Sequence, residues 1–165
     1  MSLLMLTICL RAVFGQQDSV KTKSLLAARE IMDNAGMCAL IALDKGMPQV
    51  RAMDPFPPDA DFTIWLATNP KSRKVNQIKR NKRVSLYYLD PEQQGYVTIY
   101  GTATLVNDQA EKDKHWKTEW KGFYQNRTDQ YLLIKVIPDY LEVINYRHGI
   151  SGDPKTWQPV RVYFK

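Results

Sequence analysis

The chain has 165 residues, of which 44% are hydrophobic and 24% charged, with a formal net charge of +6 and a pI near 9.3. A chain of about 150 residues can bury roughly 70% of its unfolded surface, so one domain is expected, folding without disulfide or metal. This composition excludes disorder, collagen and coiled coil. No apolar run reaches the ~20 residues of a membrane span, so no stable membrane anchor is expected, and the surplus of 23 Lys and Arg over 17 Asp and Glu suits an anionic partner.

Residues Met1 to Gly15, MSLLMLTICLRAVFG, hold an apolar stretch followed by polar Gln16-Gln17-Asp18. They read as a short signal peptide cut near Gly15, leaving residues 16–165 as a single domain. The other reading is an N-terminal helix packed on the domain. Cleavage implies a periplasmic or secreted protein; retention implies a cytoplasmic one. After cleavage only Cys38 remains, inside Met37-Cys38-Ala39-Leu40-Ile41, where a buried inert thiol is expected.

Ser19 to Asn34 reads as a helix, with Leu25, Ala28, Ile31 and Met32 at three-to-four spacing and Gly36 as a stop. Met37 to Leu43 reads as a strand, Asp44-Lys45-Gly46 as a hairpin turn, and Pro48 to Asp54 as the returning strand. A rigid proline-rich loop, Asp54 to Asp61, leads to a strand over Phe62 to Ala67. Asn69-Pro70 then breaks the chain before a short basic helix over Ser72 to Arg80, with Val75 and Ile78 inward. Val84 to Leu89 is a strand, and Tyr96 to Val106 a longer one bent or bulged at Gly101. Asn107 or Asp108 caps a helix running to about Trp120. Tyr131 to Ile137 and Leu141 to Tyr146 follow as two strands parted by Pro138-Asp139, and Val160 to Phe164 closes the chain. Short antiparallel strands with a few helices define a mainly β, α+β fold, a small barrel with peripheral helices.

The strongest chemical signal is Thr68-Asn69-Pro70-Lys71-Ser72-Arg73-Lys74, where a strand ends, a turn follows and a helix begins among cations. Helix starts favour acidic residues because their unpaired N–H groups carry partial positive charge. Cations there repel one another until an anion binds, and a phosphate would receive N–H groups, the Ser72 hydroxyl, a guanidinium and an ammonium. The competing reading is a solvated basic face. In the strand before it, a period of two puts Pro48, Val50 and Ala52 on one side and Gln49, Arg51 and Met53 on the other. Arg51 there is either a contact for an anion or polar ring edge, or an ordinary surface arginine.

His115 and His148 are the only histidines and show no metal-ligand spacing, and no GxSxG or GxGxxG is present. Hydrolase, metalloenzyme and NTPase readings are therefore weak, and no catalytic acid or base is indicated. Tyrosines beside the basic run Lys79-Arg80-Asn81-Lys82-Arg83 suit a nucleic-acid surface. Core and interface packing explains tyrosines on strands equally well, so no nucleic-acid partner is expected.

The segments ALIALDKGMPQVRAM, FTIWLATNPKSRKVNQI, RVSLYYLDP, GYVTIYGTATLV and YLLIKVIPDYLEVINY occur in this order between Leu25 and Tyr146. Together with the opening helix they resemble the pyridoxamine 5′-phosphate oxidase-like FMN-binding split barrels, particularly the bacterial general-stress-protein branch. The resemblance implies a six-stranded antiparallel split barrel, a homodimer with FMN in two clefts between subunits, and oxidoreductase chemistry on a small-molecule redox substrate. On the matching positions it implies that Arg51, Ala52 and Met53 contact the flavin, Thr68 gives a polar contact, and Ser72, Arg73 and Lys74 grip the phosphate. Tyr96 and Thr98 fall where the family places residues near the flavin across the interface, and Trp157 where it places a C-terminal tryptophan. No histidine follows Arg161, which departs from the Arg-x-His element of the true oxidases and argues against pyridoxine phosphate oxidation. The alternatives are a flavin-binding stress protein without catalysis, and a split barrel holding haem through His115 or His148, or a deazaflavin.

Overall fold

The computed structural model describes residues 2–164, with side chains from Ser19 onward. The leader read over residues 1–15 lies outside the described side chains. Its elements are α1 (Ser2–Ala35), β1 (Cys38–Asp44), β2 (Met47–Met53), β3 (Ile64–Thr68), α2 (Arg73–Arg80), β4 (Arg83–Leu89), β5 (Gly95–Val106), α3 (Gln109–Lys114), a 3-10 turn Thr118–Gly122, α4 (Arg127–Gln130), β6 (Leu132–Asn145), a second 3-10 turn Tyr146–His148, and β7 (Val160–Tyr163). No helix among the described residues is long and apolar enough to cross a membrane.

All strand pairs are antiparallel, in the order β2-β1-β4-β5-β6-β3, and β7 also pairs with β6. The two ends of that order approach each other. Pro55, just past β2, bridges Leu66 of β3, and the Phe56 N–H donates to the Trp65 carbonyl at 3.0 Å. The sheet is therefore curled into a half-barrel, the expected mainly antiparallel architecture.

Register explains the core. Leu40, Leu86, Ile99, Leu141 and Val162 are cross-strand partners in one row and are nearly or fully buried. Fully burying each such side chain contributes about 1.5–3 kcal/mol. Helix α1 lays Ala27, Ala28, Ile31 and Met32 over this inner face. Its Arg29 donates to the Pro58 and Asp59 carbonyls, both at 2.7 Å, and its guanidinium lies 4.4 Å from the Phe62 ring centre. The helix thus braces the proline-rich loop.

Several boundaries differ from expectation. Helix α1 begins well before Ser19. Phe62 stands at a φ of 63°, outside the strand, so β3 starts at Ile64. Asp108 does cap α3, its carboxylate accepting the Glu111 N–H at 3.0 Å, but the helix ends at Lys114 rather than near Trp120. There His115 becomes the cap and stacks its ring on Trp65 at 4.2 Å. The two strands expected around Pro138 are one strand, β6, which takes in Asp139 as an extra residue in its pairing with β5. The register shifts between Tyr100 and Gly101, and Pro138 sits opposite Gly101, where a bulge tolerates a residue without an N–H.

The loop from His148 to Pro154 covers one end of the barrel. Ile150 bridges Asn145 and is 6% exposed within the main core. Glu30 of α1 accepts from Arg147 Nη1 at 2.7 Å and lies 2.5 Å from His148 Nε2, while Arg147 also reaches Glu92 at 2.8 Å. His148, then Arg147, hold the Glu30 carboxyl below its ordinary value of 4.5. A depressed carboxyl stabilises the fold above its unfolded pKa and loses that contribution as pH falls through its folded value. The expected result is a Tm that drops below pH 4.5 more steeply in the native protein than in Glu30→Gln, followed by circular dichroism.

Candidate functional site

The inner row of aliphatics ends, at the sheet edge, on a cation. Arg51 of β2 is the register partner of Leu40, on the same side as Gln49 and Met53, as the period of two predicts. Its Nη2 donates to Gln77 Oε1 of α2 at 2.7 Å. Gln77 is 1% exposed and in turn donates through Nε2 to Asp44 Oδ2 at 3.2 Å. The Arg51 Nη1 group is buried and has no hydrogen-bond partner. A buried donor left unmade costs about 1–3 kcal/mol, more when charged.

The β3–α2 junction stands beside it. Thr68 closes β3, nearly buried, and its Oγ1 is 2.9 Å from Ser72 Oγ. Lys74 Nζ donates to Thr68 Oγ1 at 3.2 Å. Asn69 Oδ1 accepts the Lys71 N–H at 2.8 Å, and Ser72 N–H donates to the Asn69 carbonyl at 2.9 Å, which sets the tight turn into α2. Ser72 is the N-cap residue, yet its side chain makes no capping bond, and no acidic residue stands in the first turn of α2. The N–H groups that open α2 thus have no side-chain cap, and the Ser72 hydroxyl is shared with Thr68.

Electrostatics agree with this geometry. Burial, then the Arg51 charge, lowers the Lys74 ammonium below its ordinary value, and burial, then the Arg73 charge, lowers that of Arg51. Arg51, Arg73 and Lys74 have no carboxylate partner among the described residues. Three mutually repelling cations thus stand beside a helix start that carries no acidic residue.

A cleft of about 410 Å³ opens at this point, within the 300–1,000 Å³ usual for small ligands. Ala52, Met53, Thr68, Ser72 and Lys74 line it, so half of the ten expected site residues meet in one cavity; Arg51 and Arg73 are chain neighbours of lining residues and do not themselves line it. The other side is built of Trp120, Phe123 and Tyr124, from the segment between β5 and β6. No sequence signal tied that segment to the cleft, and Gln77 and Asp44 were missed for the same reason.

Tyr96 and Thr98 do not reach this cleft within one chain. They lie on the outer face of β5, where Tyr96 stacks on Tyr87 at 5.6 Å and Thr98 is the register partner of Tyr87 and Glu142. Trp157 sits at a φ of 60° on the turn after Asp153, 86% exposed and away from the cleft. Both histidines are engaged elsewhere. His115 is buried against Trp65 with Nδ1 3.0 Å from the Glu111 carbonyl, and His148 meets Glu30.

A curled antiparallel sheet with a cluster of cations where β3 enters α2 defines a split barrel. The family model described as "Pyridoxamine 5′-phosphate oxidase like" matches residues 24–147, and the chain belongs to that family. General stress protein 26 of Bacillus subtilis (strain 168) is 27% identical over 135 residues, which cover 79% of this chain and 91% of that protein. The crystal structure of General Stress Protein 26 from Bacillus anthracis str. Sterne shares the fold at a TM-score of 0.67 and 23% identity, covering 87% of this chain and 98% of that one. A heme binding protein from Mycobacterium smegmatis matches at a TM-score of 0.62 and 13% identity, over 84% of this chain and 57% of its own.

Proposed function

We propose that the cleft binds FMN and that the protein is an FMN-dependent oxidoreductase working as a homodimer. The observation that carries this reading is the set of unpaired cations around the start of α2, crowned by the buried, partnerless Nη1 of Arg51. Ser72, Arg73, Lys74 and the first N–H groups of α2 hold the phosphate. Arg51, with Ala52 and Met53, meets the ring, where a cation favours the negative charge of the reduced state. When bound, the flavin supplies the redox chemistry; the protein supplies position, charge and exclusion of water.

The outer face of the sheet supports the dimer. Val50, Ile41, Ser85, Tyr100, Tyr140 and Tyr163 are successive register partners across six strands, on a face without a covering layer among the described residues. Val50 is 65% and Tyr163 55% exposed, the kind of apolar patch that marks an interaction site. Tyr96 and Thr98 share this face, so a partner can bring them to the cleft of the other chain.

Pyridoxine phosphate is not the proposed substrate. Arg161 has Tyr163, not histidine, two residues on, and its guanidinium is held by Glu142 Oε1 at 2.5 Å. Haem, raised by the mycobacterial neighbour, is disfavoured here because neither His115 nor His148 lines the cleft.

The test is an absorption spectrum of the purified protein before and after FMN addition and desalting, with the molecular mass from light scattering. The expected result is one retained FMN per chain in a particle of two chains. A haem Soret band, or a colourless protein that releases added FMN, overturns the cofactor. Flavin retention without oxidation of NADH or NADPH by any simple acceptor would leave a flavin-binding protein that is not an enzyme.

A further inference from the structure

Trp120, Phe123 and Tyr124, from the segment between β5 and β6, form the far wall of the cleft, and this wall is built differently from the cation cluster. Trp120 and Tyr131 are buried, and Trp116, Trp120, Tyr124 and Tyr131 pack mainly edge to face, for instance Trp120 on Tyr124 at 72° and Tyr124 on Tyr131 at 78°. The wall is pinned to the end of β2 by one carboxylate. Asp54 Oδ2 accepts the Trp120 indole N–H at 2.9 Å, and Asp54 Oδ1 accepts from Lys117 Nζ at 2.5 Å. Lys117 also donates to the Pro55 carbonyl at 2.9 Å.

Two groups on this wall are unused by the fold. Phe123 is 79% exposed and has no ring partner among the described residues. Tyr124 has no hydrogen-bond partner for its hydroxyl among the described residues, though it lines the cleft. Burial, then the charge of Asp54, raises its pKa, so the hydroxyl stays a donor at neutral pH.

We propose that Trp120, Phe123 and Tyr124 form the subsite for the second substrate's ring, a flat, electron-poor, carbonyl-bearing ring of the quinone class, with Asp54 as the residue that positions the wall. The inference rests on the FMN reading, which assigns the opposite side of the cleft to the cofactor. A flat ring stacks on the exposed Phe123 face, against the wall that buried Trp120 backs, and electron-poor rings do so best. The Tyr124 hydroxyl donates to a ring carbonyl. In the FMN reading Lys74, Arg73 and Arg51 are committed to the cofactor, and the nearby carboxylate, Asp54, is already neutralised by Lys117, so the wall offers a neutral, aromatic surface to the second ring.

The probe is anthraquinone-2-sulfonate, a soluble flat quinone, titrated by quenching of tryptophan fluorescence into the FMN-loaded protein. Phe123→Ala is expected to weaken quinone binding about tenfold, the loss of one stacking contact. FMN retention stays within a factor of about two, and Phe123→Trp restores quinone binding. Tyr124→Phe weakens it by a few-fold more than it alters Tm. Asp54→Ala weakens it and changes the near-ultraviolet circular dichroism of the tryptophans; Asp54→Asn recovers part of both.

Three outcomes overturn the proposal. Unchanged quinone affinity in Phe123→Ala removes the subsite. Loss of FMN in that variant gives the wall to the cofactor instead. A fall in particle mass with quinone affinity intact makes Phe123 a contact between copies. If the native protein retains no FMN, the cofactor reading fails by itself, and the same titration on the flavin-free protein still decides whether Phe123 carries quinone binding.

Discussion

Replacing Arg73 and Lys74 together with Ala lowers FMN affinity by about a hundredfold to ten-thousandfold, measured by the recovery of flavin fluorescence on release. A hydrogen bond to a charged group contributes about 1.5–3 kcal/mol, and each 1.4 kcal/mol is a factor of ten, so two such contacts span that range. Arg73 is exposed in the free protein, which places its share toward the lower end. The apo protein distinguishes lost binding from lost folding. Lys74 gives up its bond to Thr68 in the variant, but the repulsion it shares with Arg51 disappears as well. The apo Tm is therefore expected to stay within a few degrees of the native value. Unchanged FMN affinity would remove the phosphate assignment, and with it the main support for the cofactor.

Gly101→Val is expected to cost about 3 kcal/mol of stability, a Tm lower by about 6–12 °C for a chain of this size. A Cβ at Gly101 would stand 2.4 Å from the Ile137 carbonyl oxygen and 3.0 Å from Pro138 Cα. Both are backbone atoms of the paired strand and cannot swing aside like a side chain. The strand must move, and with it the register that carries Ile99 and Leu141 into the core. Thr104→Val, on the same strand but exposed, keeps a β-branched residue and should change stability by no more than about 0.5 kcal/mol. A small effect at Gly101, or an equal one at Thr104, would show that the close approach is unimportant.

Much of the architecture follows from local pattern. The hairpin at Lys45 and Gly46, both at positive φ, and the bulge at Gly101 could be read directly, because each depends on a residue whose backbone freedom is visible in the sequence. The two-residue period placed Arg51 correctly for the same reason. The errors have non-local causes. Pro138 reads as a strand break until Gly101, 37 positions earlier, is placed opposite it and Asp139 is left as the extra residue of the ladder. The helix expected to reach Trp120 stops at His115 because that ring finds Trp65, a contact no local spacing announces. The cation cluster at the start of α2 was readable because Ser72, Arg73 and Lys74 are consecutive. The Trp120–Tyr124 wall was not, because its tie to the cleft runs through Asp54, 66 residues before Trp120.

Strand β6 is the longest in the sheet, with 14 residues, and it pairs along its length with β5 while its two halves receive β3 and β7. Synthesis runs from the N-terminus, so β3 leaves the ribosome long before its strand partner. Ile64, Trp65, Leu66, Ala67 and Thr68 are all buried in the finished protein. Pairings this distant form slowly, and unpaired apolar strands are where nascent chains associate wrongly. Until about residue 136 has emerged, that stretch has no partner strand in its own chain. The nascent chain therefore carries its most adhesive segment exposed for the time needed to make some 70 further residues, roughly 4–14 s at about 5–20 residues per second. A chaperone that holds the chain over this interval would be expected to raise its yield more than one acting after release.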